Sequence, residues 1–175
     1  KMWLSSGGNR ATSSGNNLRR YSISYNYTTM TYQKLIAITR QNKIPLDEKR
    51  FAGVYHFAEI AHSGQVRQTG EPYISHPVSV AITLASWKQP QPVLEAALLH
   101  DVVEDTHETL ERIITLFGEE VAFLVEGVTK IGKVKLRGST NQIFTENLRK
   151  MFVAMAKDIR VVLIRLADRL HNMTT

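Results

Sequence analysis

The chain has 175 residues, 43% of them hydrophobic and 22% charged, which suits one domain with a sizeable core. It contains no cysteine, which excludes a disulfide scaffold, a thiolate zinc site, an iron–sulfur cluster and a cysteine nucleophile. The net charge is +6, but residues 1–46 hold seven Lys/Arg and no Asp/Glu while the remainder holds fifteen basic and sixteen acidic residues, so a charge-based case for a nucleic-acid-binding body fails.

Residues 1–30 are rich in Ser, Asn, Gly, Thr, Arg and Tyr and show no sustained helical or strand period. They read as a flexible or cloning-derived N-terminal arm, or else as an Arg- and Ser-rich organellar transit peptide. The fold is assigned to residues 31–175. A helix begins at Thr31, with Leu35, Ile36 and Ile38 on its apolar face, and Pro45 breaks it. Asp47 can cap the next helix, which carries Phe51, Val54, Tyr55 and Ala58 on one face. Gly64 opens a polar loop through Gly70 and Pro72. Pro77 can occupy the first turn of a helix through Val80, Ile82, Leu84 and Trp87, which KQPQP ends. Val93 to Val103 reads as one strongly apolar helix. A short amphipathic helix starts at Thr106 or His107 and ends at Gly118. Glu119 to Ile131 is helical, GKVKLRGSTN is a basic loop, and helices follow over Gln142 to Lys157 and Ile159 to Met173. Strand signals are nearly absent and no apolar run reaches the roughly 18 residues of a membrane span. The body is therefore expected to be an all-α bundle of seven or eight helices.

The chemistry concentrates in LLHDVVEDT, residues 98–106. His100 and Asp101 interrupt an apolar pattern, and Glu104 and Asp105 follow each by four residues, so on one helix each pair shares a face. Buried carboxylates are costly unless paired or bound to a cation. The plain alternative is a solvated helix end capped by Thr106. Asp168 lies in the hydrophobic run VVLIRLADRLHN, on the stripe formed by residues 161, 164, 167, 168 and 171; Arg165 and Arg169 flank it and could neutralise it. His76 stands at a helix start after a loop, where a cap or surface role is the plain reading. Together two histidines and two aspartates form a nitrogen and oxygen set suited to Mn²⁺, Fe²⁺ or Zn²⁺. His56 and His62 read as structural, and Tyr73 as packing near the site. His171 is not read as a ligand. Lys133, Lys135 and Arg137 form a Gly-bounded basic loop, either solvated or helping to hold a charged nucleotide. No P-loop or GxGxxG pattern exists.

The ordered His…His-Asp…Asp pattern resembles the HD-superfamily phosphohydrolases. HSGQVRQTGEPYISHP (62–77), ALLHDVVEDT (97–106), FGEEVAFLVEGVTKI (117–131), ENLRKM (146–151) and DIRVVLIRLADRLHNM (158–173) closely resemble the hydrolase domain of the long RelA/SpoT homologues. Those enzymes turn over the alarmones ppGpp and pppGpp. The resemblance covers roughly residues 31–175 and implies an HD-domain helical bundle that removes the 3′-pyrophosphate, giving GDP or GTP and pyrophosphate. It implies Mn²⁺ held by His76, His100, Asp101 and Asp168, with Glu104 and Asp105 positioning or deprotonating the attacking water. Arg67, Asn172 and Thr175 match positions of the nucleotide pocket. The partner is then a guanine nucleotide, not nucleic acid or membrane, and the compartment the cytoplasm, or an organelle if residues 1–30 are a transit peptide. Thr174 departs from the Arg most long members carry, beside that pocket. Those members continue into synthetase and regulatory domains, so the chain is expected to be the hydrolase part of a larger enzyme. The alternatives are a non-catalytic alarmone-binding module and an HD phosphohydrolase for another nucleotide. Both the His-Asp and Glu-Asp pairs, usually degenerate in relatives that have lost hydrolysis, are intact here.

Overall fold

The computed structural model describes residues 29–132 and 158–175, and every regular element in that range is helical. In chain order these are α1 (29–41), α2 (Glu48–Ala61), α3 (Ser75–Ser86), α4 (Gln91–Leu99), α5 (Val102–Asp105), α6 (Leu110–Phe117), α7 (Glu119–Gly132) and α8 (Ile159–Thr174). Side chains cap three of the starts. Asp47 accepts from the Arg50 amide at 3.0 Å, Thr109 from Arg112 at 3.3 Å and Asp158 from Arg160 at 2.8 Å.

The all-α expectation holds among the described residues, which contain one isolated antiparallel bridge, Val66 to Pro72. The expected arm over residues 1–30 lies outside the described residues except for its last two, which already belong to α1. The expected helix over 142–157 and the basic loop of Lys133, Lys135 and Arg137 also lie outside them. No helix among the described residues is long and apolar enough to cross a membrane.

Two boundaries differ from the sequence reading by more than two residues. The apolar run from Val93 to Val103 is not one helix: α4 stops at Leu99, His100 and Asp101 form a turn, and α5 is a separate short helix. The His100 ring lies 2.8 Å from the Ala97 carbonyl, competing for the acceptor the next helical turn would use, and Asp101 relaxes to φ −97°, ψ −9°. Likewise α6 starts at Leu110, not at Thr106 or His107. Thr106 instead closes α5, donating its hydroxyl to the Val102 carbonyl at 2.7 Å.

The centre of the bundle is α4, buried at every position from Val93 to Leu99. It packs against α2, α3, α7 and α8, which is why its sequence is apolar on all sides. One ion pair reaches this centre. Glu95 of α4 has a fully buried carboxylate that takes two bonds from Arg50 of α2, at 2.9 and 2.8 Å, and one from Gln91 at 2.6 Å. Arg50 also donates to the Phe117 carbonyl at 2.6 Å, pinning the end of α6. A close approach sets α8: a Cβ on Gly127 of α7 would lie 2.8 Å from Cγ2 of Val161.

Candidate active site

Three elements deliver the central residues. His76 sits in the first turn of α3, held there by the Pro77 helix start. His100 caps the end of α4, and Asp168 lies on the buried stripe of α8. All three are buried, and one ligand atom from each falls within 4.8 Å of the others. Asp168 Oδ1 is 3.3 Å from His76 Nε2 and 3.8 Å from His100 Nε2. Asp101 abuts the same cluster, its oxygens 3.1 Å from His100 Nε2 and 3.6 Å from His76 Nε2.

A divalent cation fits these residues, and His100 shows why. Its Nδ1 donates to the Ala97 carbonyl, which in the neutral ring leaves the lone pair on Nε2. That nitrogen is buried and has no hydrogen-bond partner, since Asp101 lies close but out of line. An orphaned imidazole lone pair facing two carboxylates is what a metal would satisfy.

The electrostatics follow from burial and opposed charge. Burial alone would raise the Asp101 pKa, but His100 and His76, with the Tyr73 hydroxyl, hold it well below the usual carboxylate range. Burial would also raise Asp168, and His76, His100 and Arg165 bring it down. For His100, burial lowers and the carboxylates of Asp101 and Asp168 outweigh it, for a net rise. His171 is pushed down to about 4 by burial and then by the charges of His76 and Arg67.

Above this floor is a cavity of about 230 Å³ lined by Arg67, Tyr73, His76, Asp101, Arg165, Asp168 and Asn172. A tight turn places Arg67: its amide donates to the Glu71 carbonyl, and Gly70 takes the left-handed φ of +85° that the turn needs. The Arg67 guanidinium bridges to the end of α8, reaching His171 Nδ1 at 3.1 Å, Asn172 Oδ1 at 3.3 Å and Thr175 Oγ1 at 3.0 Å. Asn172 in turn donates to Asp168 Oδ1 at 2.7 Å. Arg67, Asn172 and Thr175 are therefore brought together at the cavity's rim.

The acidic pair on α5 splits. Tyr73 Oη lies 2.9 Å from Asp101 Oδ2 and 2.8 Å from Asp105 Oδ2, so Asp105 joins the cluster. Glu104 is exposed and does not line the cavity; the break before α5 removes the shared face expected for His100 and Glu104. Sequence reasoning undervalued three residues. Tyr73 is a hydrogen-bonding hub and not only packing. Arg165 makes a 2.8 Å ion pair with Asp168 and also lines the cavity, while Arg169 is exposed. His171 contacts His76, Nδ1 to Nδ1, at 2.9 Å. His62 is buried and stacks on Tyr73, ring centres 4.6 Å apart, consistent with a structural role; His56 is exposed.

A helical bundle that brings His, His-Asp and Asp from three elements to one buried point is the arrangement of an HD domain. The HD domain family matches residues 55–175, and the chain belongs to it. Its relatives there are of the SpoT type. It is 53% identical over 136 residues to the bifunctional (p)ppGpp synthase/hydrolase SpoT of Escherichia coli, covering 77% of this chain and 19% of that protein. It is 55% identical over 119 residues to the probable guanosine-3′,5′-bis(diphosphate) 3′-pyrophosphohydrolase of Synechocystis, covering 68% and 16%. Among solved structures it resembles a metazoan ortholog of SpoT that hydrolyses ppGpp and plays a role in starvation responses. That match has a TM-score of 0.56 and 32% identity, over 74% of this chain and 70% of the other. The chain spans about a fifth of the length of the curated relatives it matches.

Proposed function

We propose that the chain hydrolyses the 3′-pyrophosphate of ppGpp and pppGpp to GDP or GTP and pyrophosphate, in the cytoplasm, as the hydrolase part of a bifunctional enzyme. The observation that carries this reading is the buried convergence of His76, His100 and Asp168, with an orphaned His100 Nε2, beneath a cavity walled by Arg67 and Arg165. The SpoT-type relatives supply the substrate class.

In this reading His76, His100, Asp101 and Asp168 hold Mn²⁺. When bound, the ion neutralises phosphate charge and lowers the pKa of water. The residues do the rest. Arg67 offers a guanidinium fork to phosphate or a flat face to guanine, and Asn172 and Thr175 fix that guanidinium from α8. Glu104, exposed on α5 and outside the cavity lining, takes the proton of the attacking water once substrate brings that water to the mouth of the site, and Asp105, tied through Tyr73 to Asp101, keeps α5 aligned with the cluster. Water oxygen bonds to the phosphorus next to the ribose 3′ oxygen, that P–O bond breaks, and the 3′ oxygen gains a proton.

The test is pyrophosphate release from ppGpp with added Mn²⁺ and with a chelator. Equimolar, metal-dependent GDP and pyrophosphate are expected. Binding of ppGpp by folded, metal-loaded protein without release would show a non-catalytic module. Turnover confined to other nucleotides would show a different HD phosphohydrolase.

A further inference from the structure

We infer that His171 is a positioning residue: its Nδ1 accepts the Nδ1–H of His76 and so holds His76 in the tautomer that turns the Nε2 lone pair to the carboxylate cluster. The inference rests on the reading of His76 as a metal ligand. The argument starts at Arg67, whose guanidinium can only donate. Its Nη1 lies 3.1 Å from His171 Nδ1, so that nitrogen is an acceptor and the proton of the neutral His171 ring is on Nε2. His76 Nδ1 lies 2.9 Å from the same nitrogen. Two nitrogens at that distance need one proton between them, and the acceptor is already assigned, so His76 Nδ1 donates. The reverse arrangement would set an N–H of His171 against the N–H of Arg67. With its proton on Nδ1, the neutral His76 ring has its lone pair on Nε2, the nitrogen 3.3 Å from Asp168 Oδ1.

The two histidines thus use different anchors for the same end. His100 is fixed by a backbone carbonyl of its own helix, whereas His76 is fixed from another element. His171 is three residues after Asp168 on α8 and so shares its face. One helix supplies both a carboxylate of the cluster and the group that sets the opposing imidazole. Arg67 is in turn held by Asn172 Oδ1 and Thr175 Oγ1, so the direction of the chain is set from its far end.

The experiment is a long-range ¹H–¹⁵N correlation spectrum of histidine-labelled protein without metal, paired with calorimetry using Mn²⁺ alone. Wild type should show His76 protonated on Nδ1. His171→Phe should move His76 toward the Nε2–H tautomer and weaken Mn²⁺ binding about 10–100-fold. His171→Gln, which keeps an acceptor, should restore most of both, and Arg67→Ala should give mixed tautomers. His76 without a proton on Nδ1 in wild type, or an unchanged spectrum and affinity in His171→Phe, would overturn the inference. Full Mn²⁺ affinity in His76→Ala would sink the ligand assignment and this inference with it; the tautomer, read without metal, tells the two failures apart.

Discussion

His76 and His100 come from different helices, yet their rings stand 5.3 Å apart at 61° and both turn Nε2 to Oδ1 of Asp168, at 3.3 and 3.8 Å. A cation that binds only the folded chain stabilises it by mass action, about 2.7 kcal/mol at a hundredfold excess over Kd. For a chain of this size that is a rise in Tm of about 5–11 °C. We expect Mn²⁺ to produce that rise in wild type, EDTA to reverse it, and His100→Ala to show none. An equal rise in His100→Ala would remove His100 from the ligand set.

The acidic pair on α5 separates binding from chemistry. Glu104→Gln should bind Mn²⁺ normally and lower kcat by about 10²–10⁴-fold, the usual size of a general-base contribution. Asp105→Asn weakens the tie to Tyr73 and should have the smaller effect on kcat. Full turnover by Glu104→Gln, with the loss appearing in Asp105→Asn, would reverse the two roles.

Gly127 tests how closely α7 and α8 must approach. Gly127→Ala sets a methyl 2.8 Å from the stiff, branched Val161. Overpacking costs about 1–3 kcal/mol, and the better helix propensity of alanine returns about 1. A net loss of up to about 2 kcal/mol is expected by urea denaturation, with weaker Mn²⁺ binding as Asp168 shifts with its helix. Val161→Ala in the same chain should recover much of the binding; no recovery would place the defect elsewhere.

The ion pair of Arg50 and Glu95 is asymmetric, with side chains 43% and 1% exposed. Arg50→Ala strands a buried carboxylate that keeps only the Gln91 bond. Breaking a buried pair costs about 3–5 kcal/mol, and the half-exposed arginine together with the remaining bond reduces that to about 2–3. Glu95→Gln, which buries no charge, should cost less. Equal losses in chemical denaturation would show that the stranded charge is not the source of the cost at this position.

Much of this was legible in one chain because its signals are local. The stripe of residues 161, 164, 167 and 168 is buried as its spacing implies, and Asp47 caps α2 as its position before the helix suggests. The break at His100 was not legible, since the residues around it are apolar and helix-prone; a ring bonding to a carbonyl three residues back leaves no trace in periodicity. That break undid the expected partnership of His100 and Glu104, while Asp101 and Asp105 still meet at Tyr73. The hub role of Tyr73 was hidden because its hydroxyl partners lie 28 and 32 residues away. The contact of Arg67 with His171 spans 104 residues and exists only once the bundle has closed.

The burial of α4 bears on how the protein comes apart. Amide protons exchange slowest where apolar packing is continuous, and from Val93 to Leu99 no residue reaches solvent. His100 caps that segment and is itself 1% exposed. The imidazole beside Asp101 and Asp168 is thus fastened to the last region to open. Partial openings at the edges of the bundle leave it in place, and exchange protection at His100 should vanish only with the whole fold. Heating should therefore release a bound cation and melt the helices in a single step.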